Sequence, residues 1–223
     1  MHFHLSGLPE VQSAIEMASR CTTWNDLVTA MERFDAHPLC STPLMPGRAG
    51  IRMPDGRPVM MLGKSPPGGE KGTRIPFSGP ASLVLREEMG IAGFDLDACW
   101  MTCATPWRAR RDDNPNATQL AISRPFLFKE IEIIDPCLIV ALGQKADEAL
   151  FQRVRPIGDR LGMISKLDIG GIDRIVLTME SHAHVMYGRA ERAKGFQRRL
   201  SEAAREVPLA FDRMRMERMH PEG

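Results

Sequence analysis

A short apolar run at residues 58–62 is followed by a long loop rich in glycine and proline, and a helical pattern begins near Gly79. The run is too short for an ordinary helix and is bounded by turn residues, which is typical of a buried strand. Strand, loop and helix in this order predict one unit of an open parallel sheet. Because ligands bind such sheets at the carboxyl ends of the strands, we expect the loop at residues 63–77 to lie beside the functional site.

Three further apolar runs predict the rest of the sheet. They lie at residues 97–102, 137–142 and 172–179, and helical patterns separate them. Strands that alternate with helices are typical of a parallel sheet covered on both faces. We therefore predict an α/β fold, a three-layer α/β/α sandwich with a central four-stranded parallel sheet. Residues 153–171 show no regular pattern and are predicted to be irregular.

Two helices are predicted before the first strand. Pro9 suits the first turn of a helix over residues 9–20, and Thr23 is placed to cap a second helix over residues 24–34. We therefore expect an N-terminal helical lead-in at residues 1–36, packed on an α/β domain at residues 37–207, with a polar tail at residues 208–223. The helices predicted within the α/β domain cover residues 79–89, residues 118–134 with an interruption near Pro125, a stretch that ends near Phe151, and residues 189–205.

The composition of the 223-residue chain excludes only a few classes of function. The formal net charge is +1, so no strong overall field points to nucleic acid or to a membrane surface. Neither a membrane span nor a signal peptide is recognisable. The five cysteines are odd in number and none shows CxxC spacing, which predicts reduced thiols in a cytoplasmic protein.

The loops after the first, second and fourth predicted strands carry most of the candidate chemistry. Because these strands are expected to run parallel, their loops should emerge at the same edge of the sheet. Positions of interest in these loops are Gly63, Lys64, Ser65, Pro66, Glu70 and Phe77 in the first, Arg108, Arg110 and Arg111 in the second, and His182, His184, Met186 and Tyr187 in the last, with Arg189 just after it.

Three motifs in this order resemble a known family. Residues 63–82, GKSPPGGEKGTRIPFSGPAS, align without a gap with a motif of roughly GEAPGxxEDxxGxPFVGPAG. The others are DPCLIVALGQKADEAL at residues 135–150 and SHAHVMYGR at residues 181–189. Over about residues 37–205 the chain resembles the uracil-DNA glycosylase superfamily, and within it the iron–sulfur branch. The resemblance implies a uracil-DNA-glycosylase-like α/β domain that binds DNA, flips a base into a pocket and cleaves its N-glycosidic bond.

The departures from the family motifs concern the reacting groups. Lys64 falls where the family has the acidic residue that positions or activates water, whereas Glu70 keeps the second acidic position. Cys99 aligns with the asparagine that reads the uracil edge. His182 aligns with the catalytic histidine of the HPS motif, and His184 replaces its serine. These changes imply an unusual, damaged or modified base as the substrate.

The resemblance also bears on a metal cluster. Of the four cluster cysteines of the iron–sulfur branch only Cys103 remains, Ser123 stands where another would be, and Cys40 falls beside the N-terminal pair. One thiolate cannot hold a four-iron cluster. We therefore predict no cluster, no other metal and no cofactor.

Cleavage of an N-glycosidic bond places negative charge on the leaving base and positive charge on the sugar. On the family pattern, His182 would stabilise the base, Glu70 would serve the sugar or the water, and Phe77 would stack on the flipped base. Lys64 would place a positive charge near the phosphate or the sugar, or would act as a nucleophile if its pKa were lowered. The residues expected to line the base pocket are Gly63, Ser65, Pro66, Phe77, Cys99 and His184.

Each candidate also has a plain structural alternative. Phe77 and Cys99 would be core residues, since free cysteine is often buried. Lys64 and Glu70 would be solvated surface groups. The loop histidines would only bond to backbone groups. The three loop arginines would either contact phosphates or pair with neighbouring acids, and Met186 and Tyr187 would either enter a DNA groove or pack the last helix on the core.

Three classes of function therefore stay open. The first is a DNA glycosylase with altered base choice. The second is a DNA-binding member of the superfamily that has lost catalysis, and the third is a base-modifying transferase that reuses the flipping pocket. In each case we expect DNA as the partner, no membrane association, and a monomer.

Overall fold

In the computed structural model the described residues are 5–41, 46–47, 57–66, 76–77, 81–91, 95–108, 114–152, 156–181, 194–203 and 205–206. They form a central sheet of five strands in the order β2-β1-β3-β5-β4. The strands are β1 (Val59–Gly63), β2 (Trp100–Cys103), β3 (Leu138–Leu142), β4 (Ile164–Ile169) and β5 (Ile172–Met179).

The four predicted strands are present and run parallel, which confirms the α/β class. Strand β1 lies between β2 and β3, and β3 pairs with β5 on its other side. Strands β1, β2 and β3 are buried along their whole length, as expected for strands covered on both faces. Strand β2 begins at Trp100 rather than at residue 97, because Leu96–Ala98 form a short 3-10 turn that the Asp95 side chain caps.

The predicted count of four strands is wrong, because β4 adds a fifth strand within the segment expected to be irregular. It pairs antiparallel with β5 through a turn at Gly170 and Gly171, which both have positive φ angles. As an edge strand it is only partly buried, and Lys166 and Asp168 point to solvent. The strand therefore lacks the continuous apolar run that revealed the other four.

In the described part of the chain, five helices lie between residues 9 and 151. Helix α2 begins at a capping box, in which the Thr23 hydroxyl accepts from the Asp26 backbone N–H at 3.2 Å and the Asp26 carboxylate accepts from the Thr23 N–H at 2.9 Å. The predicted cap at Thr23 is thus confirmed. The helices are α1 (Pro9–Ser19), α2 (Trp24–Arg33), α3 (Ala81–Ile91), α4 (Ala117–Ile134) and α5 (Gln144–Phe151).

Helix α4 continues through Pro125, so the predicted interruption there is wrong. The helix begins at a capping box between Asn116 and Gln119 and ends at Asp135, whose φ of 49° is left-handed. Most of one side of α4 is buried between the sheet and the N-terminal helices. We attribute the continuity to this burial, which compensates for the backbone hydrogen bond that proline cannot make.

Helices cover both faces of the sheet. On one face Met61, Val140 and Leu177 pack against α3 and against a C-terminal helix at residues 194–203, here α6. On the other face the strands pack against α4 and α5. The three-layer arrangement follows from the alternation of strand side chains.

A third apolar cluster joins the N-terminal helices to α4. It includes Leu27 and Met31 of α2, and Phe34 just after that helix. Trp107, from the loop after β2, is buried in the same cluster. The N-terminal helices therefore share a core with the α/β layers. Within the described residues, no helix combines the length and the apolar character that crossing a membrane requires.

Candidate functional site

The carboxyl ends of the four parallel strands meet at one edge of the sheet, here called the loop edge and defined by Gly63, Cys103, Leu142 and Met179. Gly63 pairs with Cys103, and Leu142 pairs with Met179. Backbone hydrogen bonds continue just past the strands, from Ala104 N to Gly63 O at 2.8 Å and from Gly143 N to Met179 O at 2.9 Å. The first residue after β2 and the first after β3 are therefore held in place.

Phe77 closes over the end of β1. A Cβ atom built on Gly63 would lie 3.0 Å from Cζ of the Phe77 ring, so only glycine allows this approach without adjustment. Phe77 has a φ of 56°, an unusual conformation for an aromatic residue, and its exposed fraction is 8%. The ring belongs to the core cluster with Met61 and Val140, and it also reaches the loop edge.

Lys64, the residue after β1, connects two of the loops. Its Nζ donates to Asn114 Oδ1 at 3.2 Å, and Asn114 lies just before α4. Lys64 is half-buried, as is Ser65, whereas Pro66 is buried. A cation and an amide therefore occupy the position at which the family motif has a carboxylate.

Cys99 lies away from the loop edge. It precedes Trp100, which pairs with Met60, so Cys99 is level with the start of β1 and about 13 Å along the strands from Gly63. Its thiol donates to Asp95 O at 3.3 Å. Burial, with the nearby Asp95 carboxylate, raises the pKa of this thiol to about 12. Cys99 is therefore surrounded as a core residue is, which was the alternative to a role in the base pocket.

Cys103 is the β2 residue that reaches the loop edge, since it pairs with Gly63. It is 4% exposed. Burial raises the pKa of its thiol, and the Glu130 carboxylate raises it further. The side chain is therefore a neutral thiol at neutral pH. The sequence motifs did not predict that Cys103 would lie opposite Gly63.

Of the remaining candidates, Arg108 is the one that lies among the described residues. It follows Trp107 in the loop after β2 and is half-buried. Ser181, directly after Glu180, is held against Gly143, because a Cβ built on Gly143 would lie 2.9 Å from the Ser181 Cβ. The candidates that lie outside the described residues are Glu70, Arg110, Arg111, His182, His184, Met186, Tyr187 and Arg189.

A buried ionic network fixes the end of β5 and was not anticipated from the sequence. Asp147, in the first turn of α5, accepts from Thr178 Oγ1 at 3.0 Å and pairs with Arg160. Asp147 and Thr178 are both almost fully buried. The network joins α5 to the strand that ends two residues before Ser181. An acid in the first turn of a helix is common, which is why its sequence position gave no signal.

A second buried carboxylate lies under β2. Glu130 of α4 accepts from Trp100 Nε1 at 2.7 Å and from Thr102 Oγ1 at 3.1 Å. Burial raises the pKa of Glu130 to about 7, although both hydrogen bonds act to lower it. A side chain on Gly47 would collide with this carboxylate, so the backbone at Gly47 packs directly against the site. The sequence gives no signal for this position beyond a charge on a helix.

The residues at the cluster positions do not fit an iron–sulfur cluster. None of the five cysteines forms a disulfide, and Cys103 is buried whereas Cys40 is exposed. Ser123 bonds to His37, with the hydroxyl oxygen 3.1 Å from the ring Nε2. In the part of the chain that the structure describes, no three histidine, cysteine or acidic side chains converge as a metal site.

Comparison with known proteins gives matches to one family. Residues 52–204, more than half of the chain, match the model of the Uracil DNA glycosylase superfamily. Three similar proteins are each named Type-4 uracil-DNA glycosylase. The one from Pyrobaculum aerophilum is 28% identical over 118 residues, 51% of this chain and 60% of that protein. The one from Sulfurisphaera tokodaii is 26% identical over 110 residues, 49% of each chain.

The third, from Saccharolobus solfataricus, is 25% identical over 162 residues, 69% of this chain and 74% of that protein. The chain thus spans about half to three fifths of the first two relatives and about three quarters of the third.

Proposed function

Since the chain belongs to the uracil DNA glycosylase superfamily, we propose that it is a DNA glycosylase that flips a base out of DNA and hydrolyses its N-glycosidic bond. The observation that carries the proposal is the close approach of Phe77 to Gly63 at the loop edge. This approach presents an aromatic ring beside the strand ends where a sheet of this type binds ligands. An aromatic ring in that place is suited to stack on a flipped base.

The proposed reaction is the attack of water on the C1′ atom of the sugar. The bond between C1′ and the base nitrogen breaks, its electron pair leaves with the base, and the proton that the attacking water gives up ends on the departing base. His182 would donate a hydrogen bond to the base as negative charge develops there. Glu70 would orient the water and stabilise the positive sugar. The firm contact of Ser181 with Gly143 supports this role for the following His182, because the chain enters that loop from a fixed point.

Base recognition is proposed to rest on the first loop and on His184. Gly63, Ser65 and Pro66 follow the end of β1 and would contact the base beside the Phe77 ring. We leave Cys99 out of this pocket, because the β2 register places it near the start of the strands. His184, which replaces the serine of the family motif, supports an unusual, damaged or modified base as the substrate.

DNA contacts are proposed for the loops that flank the pocket. Arg108, Arg110 and Arg111 would meet backbone phosphates, and Lys64 would add a positive charge near the sugar or the phosphate. From the last loop, Met186 and Tyr187 would enter the groove and Arg189 would hold the strand. Five cysteines without a disulfide fit a protein of the cytoplasm. We propose that it acts as a monomer.

One observation favours a second candidate, a DNA-binding protein without catalysis. Lys64 holds Asn114 at the position where the family motif has its first acidic residue. A protonated amine cannot act as the base that activates water. If Glu70 does not take over that task, the chain would still bind and flip a base but would not release it.

The deciding experiment is base release from labelled oligonucleotides. The panel contains uracil, hypoxanthine, xanthine and hydroxymethyluracil in single and double strands, and the enzyme variants are His182→Ala and Glu70→Ala. Glu32→Ala, which removes an exposed carboxylate from α2, is the matched control. Release of one base that both site variants abolish and the control retains is the expected result. Binding without release across the panel would overturn hydrolysis and favour the binding protein.

A further inference from the structure

His37, in the segment after α2, lies in a closed site. Its ring is 1% exposed, and both ring nitrogens have hydrogen-bond partners. Nδ1 accepts from the Leu39 backbone N–H at 3.0 Å, so the proton of the neutral ring lies on Nε2. Nε2 is 3.3 Å from Gln119 O and 3.1 Å from Ser123 Oγ. The imidazole therefore connects the segment after α2 to two successive turns of α4.

Aromatic rings complete the site. The His37 ring stacks on Trp107, with ring centroids 4.2 Å apart and planes inclined by 18°. Phe34 and Phe126 pack around Trp107 at centroid distances of 6.0 Å and 5.7 Å. These residues, with Ser123, are here called the His37 core. In these apolar surroundings burial lowers the pKa of His37 to about 4, so the ring is neutral at physiological pH.

The His37 core includes a position that the family resemblance associates with iron. Ser123 stands where a cluster cysteine is expected, and its hydroxyl bonds to His37. Cys40 lies three residues after His37 and is exposed rather than directed into the core. A thiolate ligand is therefore absent at Ser123, and an uncharged imidazole lies against it.

We infer that the His37 core takes the structural place of an iron–sulfur cluster, closing the N-terminal helices onto α4 so that this chain folds without iron. The contacts supply what a cluster would otherwise supply, namely a link between segments that are distant in sequence. His37 and Ser123 are 86 residues apart, and the stack on Trp107 adds the loop after β2. The inference does not rest on the proposed glycosidase activity.

The first test uses the intact chain as purified from cells grown with ample iron. Iron and acid-labile sulfide are measured per chain, together with the visible absorption of iron–sulfur centres. Thermal unfolding is then followed with and without a strong iron chelator. We expect no stoichiometric iron or sulfide and an unchanged Tm. Stoichiometric iron and sulfide, or a Tm that falls with the chelator, would overturn the inference.

The second test examines the core by mutation. His37→Ala is expected to lower the Tm by on the order of 5 °C or more, because it removes a ring that is stacked and bonded in the interior. Ser123→Ala should cause a smaller drop, and much less of one when His37 is already absent, since the two share a hydrogen bond. Additive losses in the double variant would argue against the coupled core.

Cys40→Ser is the matched control, because Cys40 is the exposed thiol next to the His37 core. It should leave the Tm unchanged. A loss as large as that of His37→Ala would instead indicate a ligand role for this thiol and overturn the inference. If His37→Ala does not fold, the comparison is made with Ser123→Ala, which removes a single hydroxyl.

Discussion

The ring of Phe77 approaches Gly63 so closely that a Cβ atom at position 63 would lie 3.0 Å from Cζ of the ring. Phe77 is buried in the core cluster with Met61 and Val140, so the ring has little room to retreat. The size of residue 63 therefore sets the orientation of the ring proposed to receive the base.

Gly63→Ala should lower kcat/KM for base release more than it lowers stability. The Phe77 ring must shift by a few tenths of an ångström to admit the methyl group. We expect a loss on the order of tenfold in activity and at most about 1 kcal/mol in the free energy of unfolding. Gly90→Ala on α3 is the control, since nothing lies within 4 Å of the added Cβ. Equal activity of both variants and the wild type would contradict the role given to Phe77.

Gly143→Ala should impair base release through the loop after β5. Gly143 has a φ of 87°, and an added Cβ would lie 2.9 Å from the Ser181 Cβ. Gly171 also has a positive φ, 78°, but its added Cβ meets nothing within 4 Å. Both alanine variants should lose about 1–2 kcal/mol from backbone strain, but only Gly143→Ala should lose activity. Parallel losses of activity in base-release assays would show that strain alone is responsible.

Glu130→Gln should stabilise the protein at neutral and higher pH. The pKa of Glu130 is about 7 when folded against a usual 4.5, so the folded state holds this proton more tightly. The stability that protonated Glu130 contributes is complete below about pH 4.5 and is lost as the pH rises through about 7. The glutamine, which stays neutral, should gain about 2–3 kcal/mol over the wild type across this window.

The measurement is urea unfolding of both proteins from pH 4 to pH 8. If the free energies of unfolding of the two proteins differ by the same amount at every pH, the raised pKa assigned to Glu130 is contradicted. Glu32→Gln on α2, where the carboxylate is exposed, reports any general effect of removing a negative charge.

Acid should destabilise the His37 core. The pKa of His37 falls from a usual 6.5 to about 4 on folding, so the unfolded chain binds the proton more readily. The stability contributed by the neutral ring is present above about pH 6.5 and is lost as the pH falls to about 4. The free energy of unfolding of the wild type minus that of His37→Gln should shrink by on the order of 2–3 kcal/mol over this window. If the free-energy difference between wild type and His37→Gln does not vary with pH, the predicted effect of His37 protonation is disproved.

The sequence predicts the layers of this fold well and its edge poorly. Strands β1 and β3 are continuous apolar runs, so the pattern found them to within one residue. Strand β4 alternates half-buried and exposed residues and pairs antiparallel through a glycine turn, which a search for buried parallel strands does not detect. At Pro125 the sequence predicted an interruption that the structure does not have, because burial of α4 outweighs the local cost of proline.

The sequence named Gly63 and Phe77 as candidates in one loop, and the structure shows them in contact, while their roles in base binding stay predictions. Positions that depend on strand register could not be read from the motifs. The family resemblance aligned Cys99 with the asparagine of the pocket, but the pairing of β2 with β1 puts Cys103 opposite Gly63 instead. Glu130 and Asp147 were missed because a buried acid and an exposed acid on a helix look alike in one sequence.

The antiparallel strand β4 also decides how these molecules meet one another. Without it, the long apolar strand β5 would be the last in the sheet and would offer unpaired backbone groups to a neighbour. Strand β4 occupies that place with a shorter strand that presents Lys166 and Asp168 to water. Hydrated charged side chains along this edge, and a poor apolar surface, discourage one sheet from continuing into the next. Strand β4, which the sequence pattern did not predict, therefore protects the protein against aggregation.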